Sequence, residues 1–208
     1  MSDRIDFKRT LPGYRAKAGV FELVDVPEAR YLMIDGHGDP NTAPAYADAL
    51  AALYPVAYRL KFASRRDRGL DYVVPPLEGL WWAEDMTTFS SARDKTRWDW
   101  TLLLMVPDWI AESEFAAALE QVRAGTAPTR IDELRLGSLS EGRCVQTLHV
   151  GAYDDEAAVL ERMHHEFIPA QGLRMTGRHH EIYLSDPRRV APERLRTILR
   201  QPVLPASR

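Results

Sequence analysis

Two stretches of the chain run through the same order of elements, and that repetition limits the fold more than any single motif does. From Ala29 the residues read as a strand (Ala29 to Asp35), a loop (Gly36-His37-Gly38-Asp39-Pro40-Asn41), a helix (Ala43 to Ala63) and two further strands (Leu70 to Ala83 and Trp98 to Val106). From Cys144 they read as a strand to Val150, a loop (Gly151-Ala152-Tyr153-Asp154), a helix (Asp155 to Phe167) and a strand (Arg178 to Ser185). Gly36-x-Gly38-Asp39 falls where Gly151-Ala152-Tyr153-Asp154 falls, and Glu78-Gly79-Leu80-Trp81 takes the place of Glu181-Ile182-Tyr183-Leu184. The expected fold class is therefore α+β. Two tandem β-α-β-β units with pseudo-two-fold symmetry would share one curved antiparallel sheet, with helices on one face and a ligand cleft on the other. Residues 1–28 read as an N-terminal extension lying on the domain, and 29–208 as the domain, in halves of about 29–125 and 130–205.

Local signals fill in this outline. Asn41 or Thr42 is placed to cap the first helix, whose inward stripe is Leu50, Leu53, Tyr54, Ala57 and Leu60, and Pro55 should kink or split it. The charges from Lys61 to Arg68 read as a solvated helix end. Pro75 and Pro76 imply that the next strand starts late or lies at an edge. Trp98 and Trp100 share a face of the strand after it. A helix from Glu112 to Ala124 turns Phe115, Leu119 and Val122 inward, and Ile131 to Leu139 reads as an edge strand. In the second half Val159, Leu160, Met163 and Phe167 face inward. After Ser185-Asp186-Pro187, Pro192 is expected to start a short helix, Glu193 to Arg200, before a proline-rich tail.

Composition removes several functions. The 208 residues carry 27 basic and 30 acidic side chains, a net charge of −3, so nothing advertises nucleic acid or an anionic membrane. A single cysteine rules out an intrachain disulfide and a cysteine-based zinc site. No apolar run approaches the ~18 residues of a membrane span, and Met1 to Lys8 is too charged for a signal peptide, so the expected location is cytoplasmic.

The chemistry-bearing residues then narrow quickly. In the Arg178–Ser185 strand, His179, Glu181 and Tyr183 point one way and His180, Ile182 and Leu184 the other. If the repeat alignment holds, Glu78, Leu80 and Trp82 face the cleft opposite Glu181 and Tyr183. His-His-Glu occurs at 164–166 and 179–181, but adjacent strand histidines diverge and there is no His-Glu-x-x-His, so no metal and no cofactor is expected. Gly137-Ser138-Leu139-Ser140-Glu141-Gly142 lacks the spacing of a serine nucleophile elbow, and Cys144 in its apolar strand reads as core. What remains is a carboxylate, Glu181 or Glu78, in a cleft with Tyr153, Tyr183 and tryptophans. Such a cleft suits a flat or cationic small molecule.

Four motifs carry a resemblance to a known family: Asp35-Gly36-x-Gly38-Asp39-Pro40-Asn41, Val74-Pro75-Pro76-Leu77-Glu78-Gly79-Leu80-Trp81-Trp82, Gln146-x-x-His149-x-Gly151-x-Tyr153-Asp154-x-Glu156 and His179-His180-Glu181-Ile182-Tyr183-Leu184-Ser185-Asp186-Pro187. Together they resemble the GyrI-like small-molecule-binding family, over most of the chain from about residue 25 onward. One departure is Ala152, where such loops often carry proline. The resemblance implies two tandem SHS2-like units around a shared cleft, with the ligand-binding glutamate at Glu181. Stand-alone members of the family include hydrolases of cyclopropane-bearing genotoxins. Carried onto this chain, it implies that Glu181 activates a water and that Tyr153 or Tyr183 donates to the substrate carbonyl. Trp81, Trp82 and Trp100 would wall the substrate, with Glu78, Tyr183 and His179 as further ligand contacts. A drug-sequestering or ligand-sensing module would use the same cleft, and the sequence does not separate the two. A third option is an inhibitor acting on another protein. The expected partner is a small aromatic or cationic ligand, with no nucleic acid or membrane, and the chain acts as a monomer or homodimer.

Overall fold

The computed structural model describes residues 4–84 and 94–206. Parts of the expected extension (1–3), first half (85–93) and tail (207–208) lie outside the described residues. The strands are β1 (Glu22–Val26), β2 (Ala29–His37), β3 (Leu77–Trp82), β4 (Asp99–Val106), β5 (Arg135–Leu139), β6 (Gly142–Val150), β7 (Leu173–Met175), β8 (His179–Tyr183) and β9 (Arg196–Pro205). They form an antiparallel sheet ordered β1-β6-β9-β8-β3-β4-β2-β5, with β7 on β9. The helices are α1 (Phe7–Thr10), α2 (Pro44–Ala63), α3 (Glu112–Arg123) and α4 (Ala157–Glu161), the last running through a π-helical turn, Arg162–Phe167, into α5 (Ile168–Ala170).

The connections force the sheet to curve. β1 and β2 lie near opposite ends of the strand order, yet only Pro27 and Glu28 join them; Ser140 and Glu141 likewise join β5 to β6. Three Cα steps reach about 11 Å, whereas six strand spacings in a flat sheet would need about 29 Å. The ends must therefore approach each other. The register agrees: Val26 faces Gly142 and Ala29 faces Leu139, so both pairs keep step across the break.

Each face of this curved sheet has its own packing. On the outer face, α2 and α3 cover Leu32, Ile34, Trp81, Trp100, Leu102 and Leu104, while the α4–α5 segment covers Val145, Leu199 and Val203 with Met163 and Ile168. On the inner face Tyr31, Met33, Leu80, Leu103, Met105, Leu148, Ile182 and Ile198 close around Tyr14, with Phe7 and Leu11 beside it.

Four expectations need correction. The N-terminal segment is not merely laid on the domain: β1 pairs with β6, and Tyr14 is buried in the inner core. Residues 193–200 are not a helix. Beyond a short turn at Pro192–Arg194 they open β9, flanked by β6 and β8, because pairing on both sides outweighs the helix propensity of Glu-Arg-Leu-Arg. Neither Asn41 nor Thr42 caps α2; Ala43 does, without a side-chain bond, and Pro44 fills the first position, where a missing N–H costs nothing. Pro55 does not split α2, which runs through it unbroken with the ring on its exposed side.

Candidate functional site

The site begins with the pairing of β3 and β8 near the middle of the sheet. Glu181 stands directly across from Gly79, so both belong to the outer face, and Glu78 stands across from Ile182 on the inner face. Above Gly79 and Glu181, between α2 and the loop that enters α4, lies a cavity of about 1080 Å³. Trp81 and Tyr183 line it with Glu181; Tyr46, Leu50 and Tyr54 of α2 close one side, and Tyr153, Glu156 and Leu160 close the other. The cavity thus opens on the helical face, not on the face opposite the helices as the sequence suggested.

A hydrogen-bond chain crosses its floor. The indole Nε1 of Trp81 donates to the Tyr183 hydroxyl at 3.0 Å, and that hydroxyl donates to Oε2 of Glu181 at 2.7 Å. Gly79 makes this possible, since a Cβ there would lie 2.7 Å from Trp81 Nε1 and 3.2 Å from the Tyr183 oxygen. Rings brace the chain: Tyr46 stacks on Trp81 at 6.4 Å, Trp98 meets Trp81 edge-on at 5.8 Å, and Tyr153 meets Tyr183 edge-on at 5.6 Å. Only 13% of the Glu181 side chain is exposed. Burial first, then the nearby Glu181 charge, pushes the Tyr183 phenol well above its ordinary pKa. Tyr153 rises to about 12 through burial, then Glu156, then Glu181, and so remains a protonated donor at neutral pH.

Of the residues singled out in the sequence, Glu181, Tyr183, Tyr153 and Trp81 meet at this cavity. Trp82 does not: neighbours on a strand diverge, and its ring packs with the inner core under the Arg178 guanidinium, 3.4 Å from the ring centre. Glu78 lies on that same inner face and is only 1% exposed. Trp100 shares the outer face but is fully buried beneath Gly36, where any Cβ would fall about 2.0 Å from the ring, and its Nε1 donates to Gly38 O at 3.2 Å. It is a core residue, not a wall of the cavity. His179 is buried beside Glu181, its Nε2 3.5 Å from Oε1, and is not among the residues lining the cavity.

Sequence reasoning missed Tyr46 and Glu156 as cavity residues and assigned Tyr54 to the buried stripe of α2. Glu156 stood within a quoted motif, three residues beyond Tyr153 at the start of α4, and that spacing was the available signal. Cys144 is buried, with its thiol pushed up to about 12 by burial, as suits a core position.

Behind the cavity floor the inner face holds a second, closed group of charges. His180 Nε2 lies 2.9 Å from Glu78 and its Nδ1 3.0 Å from Glu141; Arg200 reaches Glu141 at 2.8 Å and Gln146 at 3.2 Å. Tyr14 donates to the other oxygen of Glu78 at 2.5 Å. Burial opposes the His180 charge, but Glu141 and then Glu78 outweigh it and hold the imidazole at about 9. Burial likewise opposes ionisation of Glu141, yet His180 and Arg200 bring it down to about 2.

Among the described residues no group of three or more His, Cys, Asp or Glu is arranged to hold a metal ion, and no helix is long and apolar enough to cross a membrane. The family model of the GyrI-like small molecule binding domain matches residues 109–204. The chain is 40% identical to an uncharacterized conserved protein from Listeria innocua of known structure, covering 97% of this chain and 100% of that one, with a TM-score of 0.88. Two crystal structures described as hydrolases from Listeria innocua are each 38% identical over 97% of this chain and 100% of theirs, with TM-scores of 0.86 and 0.83. No curated protein matches.

Proposed function

The chain belongs to the GyrI-like small-molecule-binding family, and from that premise we propose that it binds flat aromatic or cationic molecules against Trp81 and hydrolyses cyclopropanoid-type electrophiles with a water activated by Glu181. The observation that carries this reading is a largely buried carboxylate, held by Tyr183, in the floor of a cavity walled by aromatic rings. Similarity to two Listeria proteins described as hydrolases supports the catalytic half of it. The same premise carries the two-unit reading of the chain. In its support, strand order outward from β3 (β4, β2, β5) matches that outward from β8 (β9, β6, β1). A cytoplasmic site of action and a small aromatic or cationic ligand as partner of a monomer or homodimer go with this reading.

In the proposed reaction the water oxygen bonds to the strained ring carbon while Glu181 takes the water proton. The ring carbon–carbon bond breaks, and its electron pair runs into the conjugated carbonyl, which takes a proton from a tyrosine. Tyr183 donates to Glu181 and holds it; Tyr153, which lines the cavity and stays protonated at neutral pH, is assigned as the donor to the carbonyl. The proton on Glu181 then passes through water to Tyr153, and both residues return to their starting state.

Incubation with a spirocyclopropyl cyclohexadienone should give the water-added phenol, detected by mass. Glu181→Gln should lower turnover by about 10²–10⁴-fold. Undiminished product from that variant would remove Glu181 from the mechanism. Stoichiometric binding without product would instead favour the sequestering role.

A further inference from the structure

Two buried histidines stand behind Glu181 and take no part in the reaction just described. His179 precedes Glu181 by two residues on the same face of β8 and is 4% exposed, and neither ring nitrogen has a hydrogen-bond partner among the described residues. His164 sits in the π-helical turn Arg162–Phe167, a kind of helix irregularity frequent at functional sites, and its ring meets that of His179 edge-on at 5.9 Å. Its Nε2 is also buried without a hydrogen-bond partner, and burial, then His179, then His165 bring its pKa down to about 3, so it is neutral.

A chain that needed only bulk here would be served by phenylalanine, because buried polar nitrogens without partners are disfavoured. The charged group within reach of His179 is Glu181, with Nε2 3.5 Å from Oε1. The other carboxylate oxygen, Oε2, is already taken by Tyr183.

On the hydrolytic reading above, we propose that His179 is a positioning residue for Glu181. Nε2 stands 3.5 Å from Oε1, short of a hydrogen bond, and closes onto Oε1 when the base works, while Tyr183 holds Oε2. The carboxylate is then presented to the cavity in one orientation, with the His164 ring against the imidazole from behind. A base held at both oxygens cannot swing away from the water it must deprotonate, and small losses of alignment cost rate more than affinity. This is the same service that outer hydrogen bonds give to metal ligands, where removing them costs about 10–100-fold.

Two readouts test the proposal. With the spirocyclopropyl dienone as substrate, His179→Phe should lower kcat by about 10–100-fold with KM within about twofold, and His179→Gln, which keeps an N–H near the same point, should recover most of the loss. Wild-type kcat in His179→Phe, or equal losses in the Phe and Gln variants, would overturn it. The second readout needs no turnover. In protein labelled with ¹⁵N-histidine, the signal that vanishes in His179→Gln should report a protonated Nε2 that shifts in Glu181→Gln. An unprotonated Nε2, or one indifferent to Glu181→Gln, would overturn the proposal even if hydrolysis is real. Failure of the wild type to turn over the dienone would sink the hydrolytic reading alone, with the nitrogen shift still deciding whether His179 engages Glu181.

Discussion

On the inner face of β8, His180 lies between two carboxylates that are themselves tied to Tyr14 and Arg200. On the outer face, one residue along, Glu181 has a tyrosine hydroxyl, an imidazole edge and a cavity, and among the described residues no Lys or Arg within 4 Å. Both carboxylate groups are largely buried. The inner group balances two negative charges, Glu78 and Glu141, against two positive ones, His180 and Arg200, and ties together β3, β6, β8, β9 and the Ser140–Glu141 link. The outer group leaves a negative charge facing open space. Closed charge holds a fold in register; charge left facing a cavity is available to a ligand.

The largest effect that separates the two faces should come from breaking the inner one. Arg200→Met leaves Glu141 and Glu78 facing each other with only His180 between them, and loss of one partner from a buried ion group costs about 3–5 kcal/mol. Urea unfolding should show that drop, whereas Glu181→Gln should stay within about 1 kcal/mol of wild type. A small loss for Arg200→Met would mean that the inner charges do not hold the sheet together, and the contrast would dissolve.

A second, smaller effect follows from pH. The folded pKa of His180, about 9, lies above its ordinary 6.5, so its contribution to stability is complete below pH 6.5 and is lost as pH rises toward 9. Glu141 has the opposite sign: its pKa of about 2 lies below the ordinary 4.5, so its contribution is complete above pH 4.5 and is lost as pH falls toward 2. Stability from this group should therefore plateau between pH 4.5 and 6.5 and decline on both sides. Urea midpoints from about pH 2 to about pH 9 measure it, and His180→Gln should flatten the alkaline limb. A wild-type curve level from pH 6.5 to 9 would contradict a charged His180.

This division was only half legible in the sequence. Period-two alternation correctly separated His179, Glu181 and Tyr183 from His180 and Ile182, because that argument needs only one strand. Matching β3 to β8 needs a register, and the motif likeness of Glu78-Gly79 to Glu181-Ile182 placed it one residue out, which turned Trp82 and Glu78 to the wrong face. The inner charges were invisible for a different reason. Glu141 stood within a stretch rejected as a nucleophile elbow and Arg200 read only as a helix end, and they and their charged partners lie 39 to 59 residues apart along the chain. β9 was lost with them, since its strand character comes from the two neighbours that flank it rather than from its own residues.

The smallest effect tests that register most directly. Trp81 and Trp82 are adjacent and chemically identical, so any difference between them reports only which face each occupies. Trp81 lies in the cavity wall with Tyr46 stacked on it, while Trp82 packs inward beneath Arg178. Stacking of an aromatic pair is worth about 0.5–1.5 kcal/mol beyond area burial, so Trp81→Leu should weaken a planar aromatic cation, followed by fluorescence titration, by up to about 10-fold. Trp82→Leu should leave that affinity within about twofold, because the ring it removes is separated from the cavity by the thickness of the sheet. The reverse ranking would mean that β3 carries an irregularity which exchanges the two faces, and the hydrogen-bond chain from Trp81 through Tyr183 to Glu181 could not exist as described.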